Sequence, residues 1–274
     1  MYEKAIVTYL DILGFRDIVE GSSPAKVGKI LDSLERRAVP EPENDEERAG
    51  YQPEVITFSD SIVRVRKIKK EPNLTHPFGI LWNEVLDLVH AQGMLIDEGV
   101  LVRGGIAFGN ISMSGRQVFG PALIDAYDLE SKYAQYPRIV LSPYLFQKVR
   151  TNRLLLYHDA ETEIAHIGDL IRQGDDGIWF IDYARAIAQE LDEMEMYPIF
   201  LEKHRALIIE RSRQFRKLSA ILAKYLWLAN YHNQIIHEIP PKCLRRYGMR
   251  KQKLLIRLKE LPKVRRMRDR EASL

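Results

Sequence analysis

Cysteine is almost absent from this sequence, since Cys243 is the single one among 274 residues. One thiol excludes an intramolecular disulfide framework and a cysteine-rich zinc site, and it fits a reducing compartment. Any bound metal ion is therefore expected to have oxygen ligands. Long apolar runs are also missing, because charged residues interrupt each of them before the roughly 18 residues that a membrane span needs. The N-terminus shows no basic stretch followed by an apolar core, so we expect a cytoplasmic protein.

Hydrophobic residues make up 46% of the sequence, which is enough for a sizeable core. The charged residues are distributed unevenly along the chain. The net charge of +3 conceals a basic segment, residues 242–274, which has 13 Lys or Arg and three acidic residues. This segment fits either a solvated helix or frayed tail, or a surface that binds anions or nucleic acid. No aromatic residue follows Tyr247 to stack on bases, which disfavours nucleic acid as a partner.

The first 142 residues have the pattern of alternating strands and helices. Runs of β-branched residues predict strands, and apolar residues at helical spacing predict amphipathic helices. The predicted elements are strand 4–12, helix 24–37, a hairpin within 54–67, helix 78–97, strand 100–111, helix 121–134 and strand 138–142. The βαββαβ order is the ferredoxin-like arrangement of an α+β fold with an α/β-type core, in which helices cover one face of a sheet.

The remainder of the chain is expected to become helical after a few more strands. The further predicted elements are a loop over the acidic stretch 40–50, a short helix after residue 142, strands around 154–158 and 177–183, and helices from 183 onward with a long run from Pro198 to Ile239. We therefore divide the chain into a core domain of residues 1–182, a helical extension of residues 183–241 packed on it, and the basic tail, residues 242–274.

Two aspartates lie where the pattern predicts strand ends. Asp11 closes the first strand inside an apolar run, and Asp60 lies at the tip of the hairpin. The first strand and the hairpin are neighbours in a ferredoxin-like sheet, so the two carboxylates can converge. Buried carboxylates repel each other unless a divalent cation neutralises them, and oxygen ligands favour Mg²⁺ or Mn²⁺. Each aspartate taken alone also fits a local role in a turn or cap.

The residues after Asp11 add a second feature to this end of the strand. Gly14 and Phe15 stand at the predicted start of a helix, where open main-chain amides can receive a phosphate group. Two carboxylates, a divalent cation and these amides together suit a triphosphate, whose oxygens the metal bridges. The sequence thus predicts a nucleotide site at this end of the first strand.

Three ordered blocks carry a resemblance to a known family. They are YLDILGF at residues 9–15, the Ser59-Asp60 hairpin tip, and RGGI at 103–106 followed by FGPALIDAYDLES at 119–131. Together they resemble the catalytic domain of class III nucleotidyl cyclases, over about residues 4–142. In the third block, Gly120, Ala126 and Leu129 are in register with that family's helix motif. The resemblance implies a homodimer with active sites at its interface that converts a nucleoside triphosphate into a 3′,5′-cyclic monophosphate and pyrophosphate.

The resemblance also implies roles for individual residues. Asp11 and Asp60 would hold two Mg²⁺ or Mn²⁺ ions, and the main-chain carbonyl of Ile12 would be a further ligand. The reaction would be an in-line attack of the ribose 3′-oxygen on the α-phosphate, without a covalent enzyme intermediate. Catalysis would then consist mostly of positioning and charge stabilisation.

The sequence departs from purine-specific members of the family at the positions that read the base. Where those members carry a Lys and an Asp or Cys, this chain has Ile56, beside Thr57, and Gln117, and we assign these three residues to nucleotide binding. The family's transition-state Asn and Arg fall on Ile124 and Asp128. The family's means of stabilising the transition state must therefore be lost or supplied by other residues.

Three cations remain available for that purpose. We assign Arg103 and Lys132 to catalysis and Arg138 to nucleotide binding, although each also fits a solvated charge. The uncharged base-reading pair and the stretch AYDLESKYAQYPRIVLS resemble the pyrimidine cyclases of bacterial Pycsar anti-phage systems. This resemblance implies that UTP, with CTP as the alternative, is converted to a cyclic nucleotide that a separate effector senses.

Other classes of function remain open at this point. A catalytically inactive, cyclase-like sensor would explain the missing Asn and Arg, and a purine cyclase would share the same core. A relative of diguanylate cyclases or polymerases would be expected to carry a Gly-Gly-Asp/Glu-Glu-Phe type hairpin, which TFSDSIV is not. We expect no membrane and no nucleic acid among the partners.

Overall fold

The computed structural model describes residues 1–39, 52–68, 78–115, 117–191, 196–246 and 249–263. The predicted acidic loop, 40–50, and the last part of the basic tail, 264–274, lie outside these residues. The chain forms two compact units, Met1–Glu190 and Leu191–Leu274. Within the described residues, no helix is both long enough and apolar enough to cross a bilayer.

The first unit is built on one eight-stranded sheet. Its strands are β1 (Glu3–Ile12), β2 (Glu54–Phe58), β3 (Ser61–Lys67), β4 (Val102–Ser114), β5 (Gln117–Phe119), β6 (Ile139–Leu141), β7 (Ile171–Gln173) and β8 (Trp179–Ile181). Seven strands follow the order β2-β3-β1-β4-β6-β8-β7, and β5 pairs with β4 beside that path. β1 runs antiparallel to both of its neighbours, β3 and β4, whereas β6 runs parallel to β4.

Helices connect and flank these strands. In chain order they are α1 (Phe15–Gly21), α2 (Pro24–Ala38), α3 (Ile80–Leu95), α4 (Pro121–Asp128), α5 (Pro143–Thr151), α6 (Ala160–Gly168) and α7 (Tyr183–Ala186). A π-helical turn, Leu129–Tyr133, continues α4. The order of β1 to β4 with the helices between them confirms the predicted α+β fold with a ferredoxin-like βαββαβ core and additional strands.

The two faces of the sheet are covered by different helices. Alternate residues of β1 point to opposite faces: the Thr8 hydroxyl donates to Glu84 of α3, whereas Ala5 and Val7 pack in a cluster with Ala122 and Ala126 of α4. The prediction that helices cover one face holds for the βαββαβ core, because its helices α2 and α3 both contact Arg64 on the same face. α4 follows that core in the chain and lies on the opposite face. Asp11 has the same parity as Ala5 and Val7, so it belongs to the α4 face.

One local prediction past residue 142 is wrong. The apolar run at 154–158 was predicted to be a strand, but it contains a 3₁₀ turn, Arg153–Leu155, with Asn152 as its cap, and leads into α6. A short apolar run fits a buried strand and a buried turn equally well, because periodicity does not separate them. The expected strand around 177–183 is present as β8.

The second unit is helical, as predicted for the extension. The predicted single run from Pro198 to Ile239 is divided into α8 (Met196–Gln214) and α9 (Ser219–Glu238), with short helices α10 (Pro241–Arg246) and α11 (Lys251–Leu254) after them. Side chains of the two long helices hold the backbone that follows α11. His232 lies 2.9 Å from the Leu254 carbonyl, and Asn233 exchanges two hydrogen bonds with Ile256. The described part of the basic tail is therefore packed on these helices, and its side chains at Leu254 and Ile256 are buried.

Candidate functional site

The structure brings Asp11 and Asp60 together, as the sequence predicts. Asp11 is the penultimate residue of β1 and pairs with Ser61 of β3, while Asp60 is in the turn between β2 and β3. The Ile12 amide donates to the Asp60 carbonyl at 3.2 Å, which fixes the turn against the end of β1. Ser59 adopts the left-handed region, with φ of 56°, to make this tight connection. The two carboxylates consequently occupy one corner of the sheet.

Arg103 of β4 lies beside both Asp11 and a third carboxylate, Glu130. Its Nε and Nη2 donate to Asp11 Oδ2 at 3.2 and 3.0 Å, and Nε also lies 2.7 Å from Glu130 Oε1. The side chains of Arg103 and Asp11 are 25% and 18% exposed, whereas that of Glu130 is only 3% exposed. One guanidinium therefore serves two carboxylates in a largely dry environment.

The charges in this corner do not balance. Asp11, Asp60, Glu130 and Arg103 together carry a formal charge of −2. Burial raises the pKa of Asp11, the charge and a side-chain hydrogen bond of Asp60 raise it further, and these effects outweigh the lowering effect of Arg103. The ionised form of Asp11 is thus held at a cost. A divalent cation with hard oxygen ligands fits the charge and the chemistry of these donors.

Glu130 was not predicted from the sequence. It lies in the π-helical turn, on the face that begins with the buried Ala122 and Ala126 at spacings of four residues. A Cβ at Gly105 would come within 2.3 Å of the Ala126 carbonyl, so this glycine lets the helix approach β4 closely. The signal that was available is the acidic residue on the apolar face of a predicted helix, which requires a cationic partner.

Ser61 and Tyr9 extend the site away from Arg103. The Tyr9 hydroxyl donates to Ser61 Oγ at 2.8 Å, and Ser61 Oγ donates to Asp11 Oδ1 at 3.5 Å. The Tyr9 ring also meets Tyr127 of α4 edge-on, with centroids 5.4 Å apart. These contacts connect the carboxylates to a neighbouring cavity.

That cavity contains the two residues predicted to read the base. It has a volume of about 560 Å³, and its walls are Tyr9, Ile56, Phe58, Ser61, Val63, Gln117, Val118 and Phe119. Ile56 and Gln117, on separate strands, therefore face the same space. Thr57 is placed differently: successive residues of β2 alternate in direction, so Thr57 points to the opposite face of the sheet from Ile56 and Phe58.

The segment after Asp11 has the predicted backbone. Gly14 is in the left-handed region, with φ of 74°, and α1 begins at Phe15. Ile12 is adjacent to both aspartates through its hydrogen bond to Asp60. The roles of the Ile12 carbonyl as a metal ligand, and of Gly14 and Phe15 in nucleotide binding, stay predictions.

Two of the three predicted cations make their contacts with other residues. The Lys132 ammonium pairs with Asp128 at 2.7 Å, one helical turn away on an exposed surface. Arg138 is buried, and its guanidinium donates to Asp176 Oδ1 and to the Tyr133 carbonyl, each at 3.2 Å. These contacts indicate a structural role for Arg138. Arg103 is the predicted cation that the structure places against Asp11.

No protein-family model and no curated protein matches this chain. Among solved structures, it is similar to a bacterial light-regulated adenylyl cyclase, with 14% identity and a TM-score of 0.38 over 56% of this chain and 81% of that one. It is also similar to the catalytic core of a rhodopsin-guanylyl cyclase with converted specificity in complex with ATPαS, with 18% identity and a TM-score of 0.35 over 54% and 82% of the two chains. A second structure of a bacterial light-regulated adenylyl cyclase has 15% identity and a TM-score of 0.34 over 61% and 56%.

These likenesses concern the fold. The reaction of the present chain is inferred from the geometry of its own residues. Across the described ranges, no group of three or more His, Cys, Asp or Glu side chains is arranged to hold a metal ion, so a cation would rely on the aspartate pair and on main-chain or ligand oxygens.

Proposed function

We propose that this protein is a nucleotidyl cyclase that converts UTP, with CTP as the alternative substrate, into the 3′,5′-cyclic monophosphate and pyrophosphate. The observation that carries the proposal is the convergence of Asp11 and Asp60 in a corner with a net charge of −2, beside a cavity of about 560 Å³. A corner of this charge suits divalent cations that accompany a triphosphate. The cavity suits a nucleoside.

In the proposed reaction, the ribose 3′-oxygen forms a bond to the α-phosphorus while the bond from that phosphorus to the bridging oxygen breaks. Pyrophosphate leaves with the electron pair of that bond, and the 3′-hydroxyl proton passes to solvent. Two Mg²⁺ or Mn²⁺ ions, when bound, would lower the pKa of the attacking hydroxyl and neutralise charge on the phosphates. Asp11, Asp60 and the Ile12 carbonyl would hold these ions. Arg103 is the cation available for the charge that develops on the phosphates.

The base would occupy the cavity between β2 and β5. Its walls at Ile56 and Gln117 carry no charge, in contrast with the Lys and the Asp or Cys that purine-specific members of the family carry at these positions. The Gln117 amide offers both a donor and an acceptor, so it can meet the 4-oxygen of uracil or the 4-amine of cytosine. UTP is the substrate that we favour. By its resemblance to Pycsar enzymes, the protein would act in the cytoplasm, and its product would signal to a separate effector in anti-phage defence.

The surface around the cavity supports a homodimer with the active sites at its interface. Four large side chains near the cavity or on α4 are at least half exposed: Phe58 at 81%, Phe119 at 53%, Ile124 at 62% and Tyr127 at 50%. Exposed apolar residues in one region are typical of an interaction surface. A second protomer of this chain would cover them and enclose the nucleotide.

A second candidate function is a catalytically inactive sensor that binds a nucleotide. It is favoured by Ile124 and Asp128, which replace the transition-state Asn and Arg of the family, and by the Asp128–Lys132 pair, which commits a nearby cation to a surface contact. The corner formed by Asp11, Asp60 and Glu130 favours the enzyme instead, because without a bound cation the repulsion among its carboxylates only lowers the stability of the fold.

The test is to incubate the purified protein with ATP, GTP, CTP or UTP and Mn²⁺ and to identify the products by mass. We expect cyclic UMP as the main product, and its loss by at least about 100-fold in Asp60→Asn. The matched control is Asp32→Asn, on the exposed side of α2, which should retain full activity. A cyclic purine nucleotide as the main product would overturn the pyrimidine assignment. Saturable binding of UTP without any cyclic product would establish the sensor.

A further inference from the structure

Arg103 is shared unequally between its two carboxylates. Its Nε is closer to Glu130, at 2.7 Å, than to Asp11, at 3.2 Å, although Nη2 adds a bond to Asp11 at 3.0 Å. Glu130 is almost fully buried, and Asp11 is the more exposed of the two. The guanidinium thus bridges an acid inside the protein and an acid at the mouth of the site.

We propose that Glu130 is a positioning residue that competes with Asp11 for Arg103 and thereby sets how strongly the Asp11–Asp60 corner binds a divalent cation. This inference rests on the proposed function, since it concerns the cation site of that enzyme. It assigns Glu130 a role in controlling that site, not in the chemistry.

The competition follows from the hydrogen bonds that the Arg103 guanidinium donates to Asp11 Oδ2. A cation that binds Asp11 through Oδ2 meets the guanidinium that already donates to the same oxygen. Arg103 must therefore give up its hydrogen bonds to Asp11, and a partly buried guanidinium left without a partner is unfavourable. Glu130 removes that obstacle, because the guanidinium already contacts it and can shift toward it. With a neutral residue at position 130, Asp11 would bind Arg103 more strongly and the divalent metal ion more weakly.

The backbone makes Glu130 the fixed member of this set. The π-helical turn that carries it packs on β4 at Gly105, where an added Cβ would lie 2.3 Å from the Ala126 carbonyl and 3.0 Å from the Glu130 amide. A helix packed this closely against β4 cannot shift together with the Arg103 side chain. A shift of Arg103 is therefore the movement that remains, and single π-helical turns of this kind are frequent at functional sites.

The experiment measures Mn²⁺ binding to the full-length protein without nucleotide, by isothermal titration calorimetry. Glu130→Gln should raise the Kd for Mn²⁺ about tenfold, because it removes a nearby negative charge and returns Arg103 to Asp11. Arg103→Gln should lower the Kd. In the double variant, the effect of Glu130→Gln should shrink to less than about threefold, since the competition acts through Arg103. Glu163→Gln is the control, because Glu163 is also buried but accepts main-chain bonds from Gly79, Tyr157 and His158 instead.

Two outcomes separate this inference from the proposed function. If the native protein binds Mn²⁺ and Asp60→Asn does not, the cation site stands. An unchanged Kd in Glu130→Gln, or an equal effect of that change with and without Arg103, would then overturn the role of Glu130 alone. Failure of the native protein to bind Mn²⁺ would count against the cation site itself. Should Glu130→Gln not fold, Glu130→Asp is the alternative. It keeps the negative charge on a shorter side chain, farther from Arg103, and it should raise the Kd by a smaller factor.

Discussion

Two arginine–carboxylate clusters lie on opposite faces of the same sheet and differ in how their charges balance. On the α3 face, Arg64 and Arg66 of β3 meet Glu84 and Asp87 of α3, with Arg64 donating to Glu84 at 2.9 and 3.0 Å. On the α4 face, Arg103 of β4 meets Asp11 and Glu130. The first cluster has two positive and two negative groups, whereas the second has one positive and three negative groups.

The difference is visible in the acidity of one carboxyl group in each cluster. Burial alone would raise the pKa of Glu84, but the charges of Arg64 and Arg66 outweigh it and lower the pKa to about 2. Burial also raises the pKa of Asp11, and there Asp60 adds to the rise and Arg103 does not cancel it. A charge-balanced cluster stabilises the fold by itself. Under the proposed function, a bound cation would complete the cluster with excess negative charge, and the imbalance would mark the functional face.

The largest expected effect is the decrease in the free energy of unfolding when one carboxylate is removed from the balanced cluster. Glu84→Gln should lower the free energy of unfolding by about 3 to 5 kcal/mol, because it leaves the fully buried Arg64 without its main counter-charge. Urea unfolding followed by circular dichroism measures this change. The matched control is Glu35→Gln on the exposed side of α2, which should change the value by less than about 0.5 kcal/mol. A similar small effect of both substitutions would show that the cluster does not stabilise the fold.

The same contrast predicts opposite responses to pH. The pKa of Glu84 in the folded protein, about 2, is below the unfolded value of 4.5, so its contribution is present above pH 4.5 and is lost as the pH falls toward 2. The loss amounts to about 3 kcal/mol. The pKa of Asp11 is raised instead, so protonation of Asp11 on acidification favours the folded state.

This response can be measured as the difference in unfolding free energy between the native protein and Glu84→Gln across the acid range. The difference should shrink as the pH is lowered from 4.5 toward 2, because Glu84 then takes up a proton in the unfolded native protein before it does so in the folded one. A difference that stays constant with pH would mean that Glu84 acts through packing and not through its charge.

Much of this arrangement could be predicted from residues that break a local pattern. Asp11 interrupts an apolar strand and Asp60 sits at a hairpin tip, and the ferredoxin-like order places these two points side by side. Ile56 and Gln117 could be paired through the family resemblance, and the structure places both on one cavity. Strand and helix patterning was sufficient for the first 142 residues because the alternation there is regular.

Other features depend on contacts that the linear pattern does not contain. Glu130 lies on the apolar face of a predicted helix, which indicates a buried acid, but its partner Arg103 is on another element and no pattern relates the two. Arg138 was predicted to bind nucleotide because a basic residue before a strand gives no indication of Asp176 on a distant turn. Remote charged residues could thus be paired where a known sheet order relates their strands, as for Asp11 and Asp60, and not where no such order relates them.

The smallest expected effect comes from removing a carboxylate from the unbalanced cluster. Asp11→Asn should leave the free energy of unfolding unchanged or raise it by up to about 1 kcal/mol, because the ionised side chain is held beside Asp60 at a cost and Arg103 keeps Glu130 as a partner. Thermal and urea unfolding without added metal measure this, and adding Mn²⁺ should stabilise the native protein more than the variant. Destabilisation as large as that of Glu84→Gln would place Asp11 among the structural carboxylates and remove the distinction between the two faces. Equal stabilisation of both proteins by Mn²⁺ would show that the cation binds elsewhere.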